Sequence, residues 1–108
     1  MIYELREYHV APGRMEDLHE RFRNHTLKLF KRHGIEPIAF FTDDVGPANN
    51  VLTYLLKFED ANQRERAWAS FRADPEWRGV AAASNAPGQL IHRISNRILK
   101  ETDYSELD

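Results

Sequence analysis

The sequence predicts an α+β fold, a split β-α-β arrangement in which four antiparallel strands form one sheet and the helices lie on one of its faces. Three observations carry this. The periodic segments run strand, helix, strand, strand, helix, strand; Gly, Pro and Asn residues mark the junctions between them; and 108 residues, 42% hydrophobic and 30% charged, have a globular composition. A chain of this length buries about two-thirds of the surface its unfolded form exposes, so the expectation is a single domain over residues 1–108 without room for a second catalytic one within them. Internal repeats and low-complexity tracts are absent.

Ile2 to Val10 is rich in tyrosine and aliphatic residues and ends at Ala11-Pro12-Gly13, where proline removes a donor and glycine permits a positive φ, so it reads as a strand and a turn. Met15, Leu18, Phe22 and Leu29 recur at helical spacing and predict one long helix, with Gly34 as the residue after its C-cap and Arg32 and His33 at the negative end of its dipole. Ile35 to Val45 and Val51 to Glu59 read as a hairpin pair joined through Gly46-Pro47 and Asn49-Asn50. Asp60 stands at an N-cap position with Gln63 as its capping-box partner, and Trp68 and Phe71 give the following helix an apolar side. Asp74-Pro75-Glu76 starts a fresh short helix carrying Trp77 and Val80, set at an angle to the one before. Asn85 to Gly88 breaks it, Leu90 to Leu99 reads as the last strand, and residues 100–108 form a polar tail. This order is the ferredoxin-like one, with both helices on one face of the sheet.

Residue parity places apolar side chains on both faces of the strands: Leu52, Tyr54, Leu56 and Phe58 against Val51 and Leu55; Ile38 and Phe40 against Ile35, Ala39 and Phe41; Leu90, Ile94 and Ile98 against Ile91 and Leu99. Two helices cover one face only. An exposed apolar sheet face exceeds what monomers tolerate, so the pattern predicts a homodimer in which two sheets pack face to face.

The formal charge of −2 lacks the long-range field of a nucleic-acid binder. With no cysteine there is no disulfide, iron–sulfur cluster or thiol nucleophile. No targeting segment and no apolar run of roughly 18 residues is visible, so the expectation is a cytoplasmic protein without membrane association.

Glu4, Arg6 and Tyr8 share one parity on the first strand, so an acid, a cation and a phenol lie in a row that either orients a small polar ligand or compensates within an interface. His25 lies near the helix face defined by Phe22 and Leu29, as a proton acceptor at the sheet or as a hydrogen-bonded core histidine. Tyr54, Trp68 and Trp77 either wall an aromatic cavity for a flat substrate or fill the core. Arg64 either binds a carboxylate or pairs with neighbours such as Asp60 on its own helix. His19, His25 and His33 are spaced six and eight apart and miss the i,i+4 placement of paired metal ligands, so no metal site is expected. Phosphate loops, nucleophile elbows and catalytic triads are missing.

The opening Met1-Ile2-Tyr3-Glu4-Leu5-Arg6-Glu7-Tyr8, with Pro12-Gly13 after it, resembles the M-I-x-E-L-R-x-Y start of NIPSNAP-family domains. Asn24-His25, His33-Gly34, Gly46-Pro47 with Asn50, Arg64, Asp74-Pro75-Glu76-Trp77 and the closing Ile98-Leu99-Lys100 with Tyr104-Ser105 are similar to the family's pattern in order and spacing. Leu56 and Phe58 depart from it where a tryptophan and a tyrosine are expected, and Glu101 where a proline is. The resemblance implies the dimeric α/β barrel architecture, ferredoxin-like subunits paired through their sheets. In that wider superfamily, cofactor-free monooxygenases, isomerases and haem-binding proteins use a pocket between sheet and helices, an analogy at the level of fold.

The leading functional expectation is therefore a small-molecule-binding dimer or cofactor-independent enzyme, monooxygenase- or isomerase-like. Its flat organic ligand sits between sheet and helices, with His25 and Tyr8 as catalytic groups and Glu4, Arg6, Tyr54, Trp68 and Trp77 as substrate-binding ones. A non-catalytic protein-interaction module is the alternative, and a haem-binding protein ranks behind both.

Overall fold

A computed structural model describes residues 1–107, so Asp108, the end of the polar tail, lies outside the described residues. The strands are β1 (Ile2–Val10), β2 (Glu36–Thr42), β3 (Val51–Phe58) and β4 (Ile91–Leu99), in spatial order β2-β3-β1-β4 with every neighbouring pair antiparallel. The helices are α1 (Met15–Arg21), α2 (Leu27–Arg32), α3 (Ala61–Ala73) and α4 (Pro75–Asn85). The fold is the ferredoxin-like α+β arrangement.

Local signals place the helix ends. Gly34 ends the first helical run with φ +75, a conformation that costs L side chains, and lets Ile35 turn back into the core. Asp60 accepts from the Gln63 amide at 2.8 Å and Asp74 from the Glu76 amide at 2.8 Å, each opening a helix. The Gln63 side chain reaches back one residue further than the capping box requires, accepting from the Glu59 amide at 3.2 Å rather than from that of Asp60.

The predicted single long helix is interrupted. Phe22–Thr26 is a π-helical segment between α1 and α2, and Thr26 donates its hydroxyl to the Arg21 carbonyl five residues back. Such a segment accommodates one extra residue in the turn and rotates the helical turns after it, so the face read from a uniform 3.6-residue period is shifted from there on.

Two β-bulges correct the parity reading. Pro37 pairs with Leu56 and Ala39 with Leu55, which leaves Ile38 as the extra residue and brings Ile35 and Phe40 to the same, helix-covered face. Likewise His9 pairs with Arg93 and Val10 with Ile91, so Ile91 packs against the core instead of facing away from it. The core lies between sheet and helices, built on Leu52, Tyr54, Leu56 and Phe58 of β3 with Leu18, Leu29, Phe30, Trp68 and Phe71 from the helices. The opposite face mixes Leu5, Leu55, Leu99 and Phe41 with Glu7, Arg93 and Arg97, so it is less apolar than parity implied. The helices leave much of β4 uncovered: Ile94 and Ile98, paired with Tyr8 and Glu4 on the helix side, remain 49% exposed, and Phe41 on the far side is 59% exposed. Tyr3 also points to the far side, yet is buried, and its hydroxyl donates to the Glu101 carboxylate at the start of the tail. No described helix is long and apolar enough to cross a membrane.

Candidate functional site

Register brings β1 and β3 into alignment so that Glu4 lies beside Leu56, Arg6 beside Tyr54 and Tyr8 beside Leu52, all on the helix-covered face. Glu4 is fully buried and its carboxylate accepts five hydrogen bonds. Oε1 takes Arg64 Nε and Trp68 Nε1, each at 2.9 Å; Oε2 takes Arg6 Nη1 at 2.8 Å, Asn96 Nδ2 at 2.8 Å and Arg64 Nη2 at 3.0 Å. Burial pushes the Glu4 carboxyl up, but hydrogen bonds from Arg64, Asn96 and Trp68 and the charge of Arg6 outweigh it and hold the pKa at about 2 instead of 4.5. Arg64 therefore reaches across to β1 as well as pairing with Glu65 on its own helix, and the expected Asp60 pairing gives way.

Arg6 extends the network. Its guanidinium lies over the Trp68 ring at 4.5 Å and its Nε donates to the Tyr54 hydroxyl at 3.1 Å, which donates in turn to the Tyr8 hydroxyl at 2.7 Å. Burial opposes the charge on Arg6, while the oxygens of Tyr8, Tyr54 and Glu4 favour it and raise its pKa above the ordinary value. Burial, with Tyr8 adding and Arg6 opposing, pushes the Tyr54 hydroxyl well above 10, so it conveys polarisation as a neutral group. The relay ends on the Tyr8 proton, for which no described group serves as acceptor.

Five of the seven predicted residues, Glu4, Arg6, Tyr8, Tyr54 and Trp68, thus form one connected unit. Trp68 is part of the packed interior, donating to Glu4 and stacking under Arg6, rather than standing as a free cavity wall. Trp77 lies apart from it, half-buried against Phe71 with ring centroids 4.6 Å apart. His25 does not join Tyr8 and Tyr54 at the sheet: the π segment carries it to a groove between the first helical run and α4, which it lines with Arg21, Val80 and Ser84. A smaller apolar recess of about 260 Å³ lies between the first helical run and the β2 edge, lined by Phe22, Leu27, Phe40 and Leu52, and holds none of the predicted residues. No group of three His, Asp, Glu or Cys suited to a metal ion comes together among the described residues.

Sequence reasoning missed Asn96 and Arg21. Asn96 was legible in principle, because it has the parity of Ile94 and Ile98, which pair with the Tyr8–Glu4 face. Arg21 had no signal, since it sits where the helical period breaks.

The family model for NIPSNAP matches residues 3–106. The chain belongs to the NIPSNAP family. A NIPSNAP-like domain protein from Burkholderia xenovorans has 28% identity over 97% of this chain and 88% of its own, with a TM-score of 0.85. A NIPSNAP family protein of unknown function from Agrobacterium tumefaciens shows 25% identity over 100% of this chain and 94% of its own, with a TM-score of 0.88. The fold, though not the sequence, extends to a putative antibiotic biosynthesis monooxygenase from Nitrosomonas europaea, at 9% identity over 94% of this chain and 98% of that one, with a TM-score of 0.64. No curated protein matches the chain.

Proposed function

We propose that this NIPSNAP chain acts as one domain and is a small-molecule-binding homodimer, with a flat organic ligand approaching the helix side of the sheet and receiving a hydrogen bond from Tyr8. The observation that carries the reading is the Arg6–Tyr54–Tyr8 relay, whose last proton has no acceptor among the described residues. A positioned phenol polarised by a nearby guanidinium stabilises a carbonyl or enolate oxygen, the chemistry of proton transfer at activated carbon. Glu4, Trp68 and Arg64 position Arg6; Trp77 supplies a ring face; His25, away from Tyr8, is the second candidate acid or base. Pairing through the open sheet face, as in the dimeric α/β barrels, gives Phe41, Leu5, Leu55 and Leu99 an apolar partner.

Native mass spectrometry tests both parts. The expected result is a dimer of 2 × 12.7 = 25.4 kDa that carries a reproducible added mass, lost in Tyr8→Phe. A 12.7 kDa monomer refutes the pairing, and an added mass retained in full by Tyr8→Phe refutes the site.

A further inference from the structure

We propose that the groove between the first helical run and α4 is a subsite for the carboxylate of a small organic acid, received by the Arg21 guanidinium with the acid's apolar body along Val80 and Ala83. The inference rests on the small-molecule reading above and names its ligand class. Arg21 closes α1 and is only 7% exposed. Among the described residues its guanidinium makes one hydrogen bond, from Nη1 to Ser84 Oγ at 3.0 Å; its Nε is buried without an acceptor, and no described carboxylate pairs with it. The Trp77 ring, 5.0 Å from the guanidinium carbon, supports the cation from one face without supplying a charge.

The surrounding charges sharpen the contrast. Asp17 in the same groove is tied to Arg14 at 2.9 Å, and Glu76 is tied to Lys28 at 3.1 Å and to Arg32 at 3.1 Å. Glu20 also lines the groove, but it forms no ion pair with Arg21 among the described residues. Arg21 is left as a desolvated cation whose burial works against its charge, and the nearby Arg14 adds to this, with Tyr8 and Tyr54 opposing. A buried guanidinium with an unmet donor is a costly arrangement that an incoming anion relieves. Nε and Nη2 have no described acceptor, and together they form the fork that matches a carboxylate with two parallel hydrogen bonds. The groove, about 660 Å³, is of ligand size, and apolar residues of α4 lie beside the cation. The π segment begins directly after Arg21, and such interruptions of a helix recur at functional sites.

The test is a titration of ¹⁵N-labelled protein with benzoate, followed on the backbone amide resonances of the groove, which serve for every variant, and on the arginine Nε–H resonances, the Arg21 signal being assigned by its loss in Arg21→Lys. The expected result is a saturable shift of that signal, with benzamide or inorganic phosphate at least about tenfold weaker and Arg21→Lys weakened for benzoate by about tenfold or more. Val80→Glu is the second variant: it introduces a carboxylate into the groove beside Arg21, so it is expected to abolish benzoate binding in a folded protein. Unsaturable shifts, equal affinity for benzamide, tighter phosphate than benzoate binding, or benzoate affinity unchanged in both variants overturns the proposal. Native mass spectra separate the two readings, because a ligand lost by Tyr8→Phe but kept by Arg21→Lys overturns the carboxylate subsite alone.

Discussion

Replacing Glu4 with glutamine changes one atom and removes the charge on which five donors converge. Its pKa, lowered from 4.5 to about 2, corresponds to about 3 kcal/mol in favour of the ionised form in the folded chain. Solvent at Arg64 and at exposed Asn96 screens part of this, leaving about 2 kcal/mol. The glutamine oxygen can keep the two bonds made at Oε1, but its NH₂ group then faces Arg6 Nη1, Arg64 Nη2 and Asn96 Nδ2, three donors against a donor. Breaking a buried charge network from one side costs about 3–5 kcal/mol, a large part of the roughly 5–15 kcal/mol that holds a domain folded. Urea unfolding at neutral pH is expected to show a loss of that size for Glu4→Gln. A folded-state pKa below the unfolded one means the wild-type carboxylate contributes in full above 4.5, and the contribution disappears as pH falls towards about 2. The stability difference between wild type and variant should therefore shrink over that interval. A loss below about 1 kcal/mol at neutral pH, or parallel pH profiles throughout, refutes the account of Glu4 as the electrostatic anchor of the site.

Tyr54→Phe removes the oxygen between Arg6 and Tyr8 and leaves Arg6 Nε without its acceptor, so unfolding free energy is expected to fall by about 1–3 kcal/mol in a urea titration; an unchanged midpoint and slope contradict the relay. Gly34→Ala meets no steric obstacle, the nearest atom to the new Cβ being Gln63 Nε2 at 3.6 Å, so its cost is that of holding φ +75, about 1–2 kcal/mol, and thermal unfolding should register it. Phe41→Glu places a charge on the proposed pairing face, at its β2 edge, and is expected to lower the mass found by light scattering from 25.4 to 12.7 kDa, whereas an unchanged dimer moves the interface elsewhere.

Much of the fold is readable from short-range chemistry. Asp60 and Asp74 act as caps because their carboxylates reach amides two or three residues away, and Gly34 and Gly13 adopt the positive φ their turns need, so one residue and its neighbours decide each case. The site divides along the same line. Glu4, Arg6 and Tyr8 lie in a row on one strand, so their shared face follows from parity, and the alternation of β3 puts Leu52 to Phe58 in the core. What parity could not show is that the row is closed from above, by Arg64 and Trp68 sixty or more residues later, and from the side by Asn96, which turns a possible ligand-facing acid into a fully bonded anchor.

The misplaced residues share a cause. Ile35 and Ile91 changed face because a single extra residue in a bulge reverses a period of two, and His25 moved to the α4 groove because a π turn breaks a period of 3.6. Sequence alone determined the element order, the caps and turns, the family pattern and the polar row on β1, since each depends on neighbours along the chain. Tertiary structure decided which of those polar groups are satisfied: Glu4 became the hydrogen-bond partner of four residues, while the Arg21 guanidinium donates to Ser84 alone among the described residues, because charge compensation depends on what distant segments bring within hydrogen-bond reach.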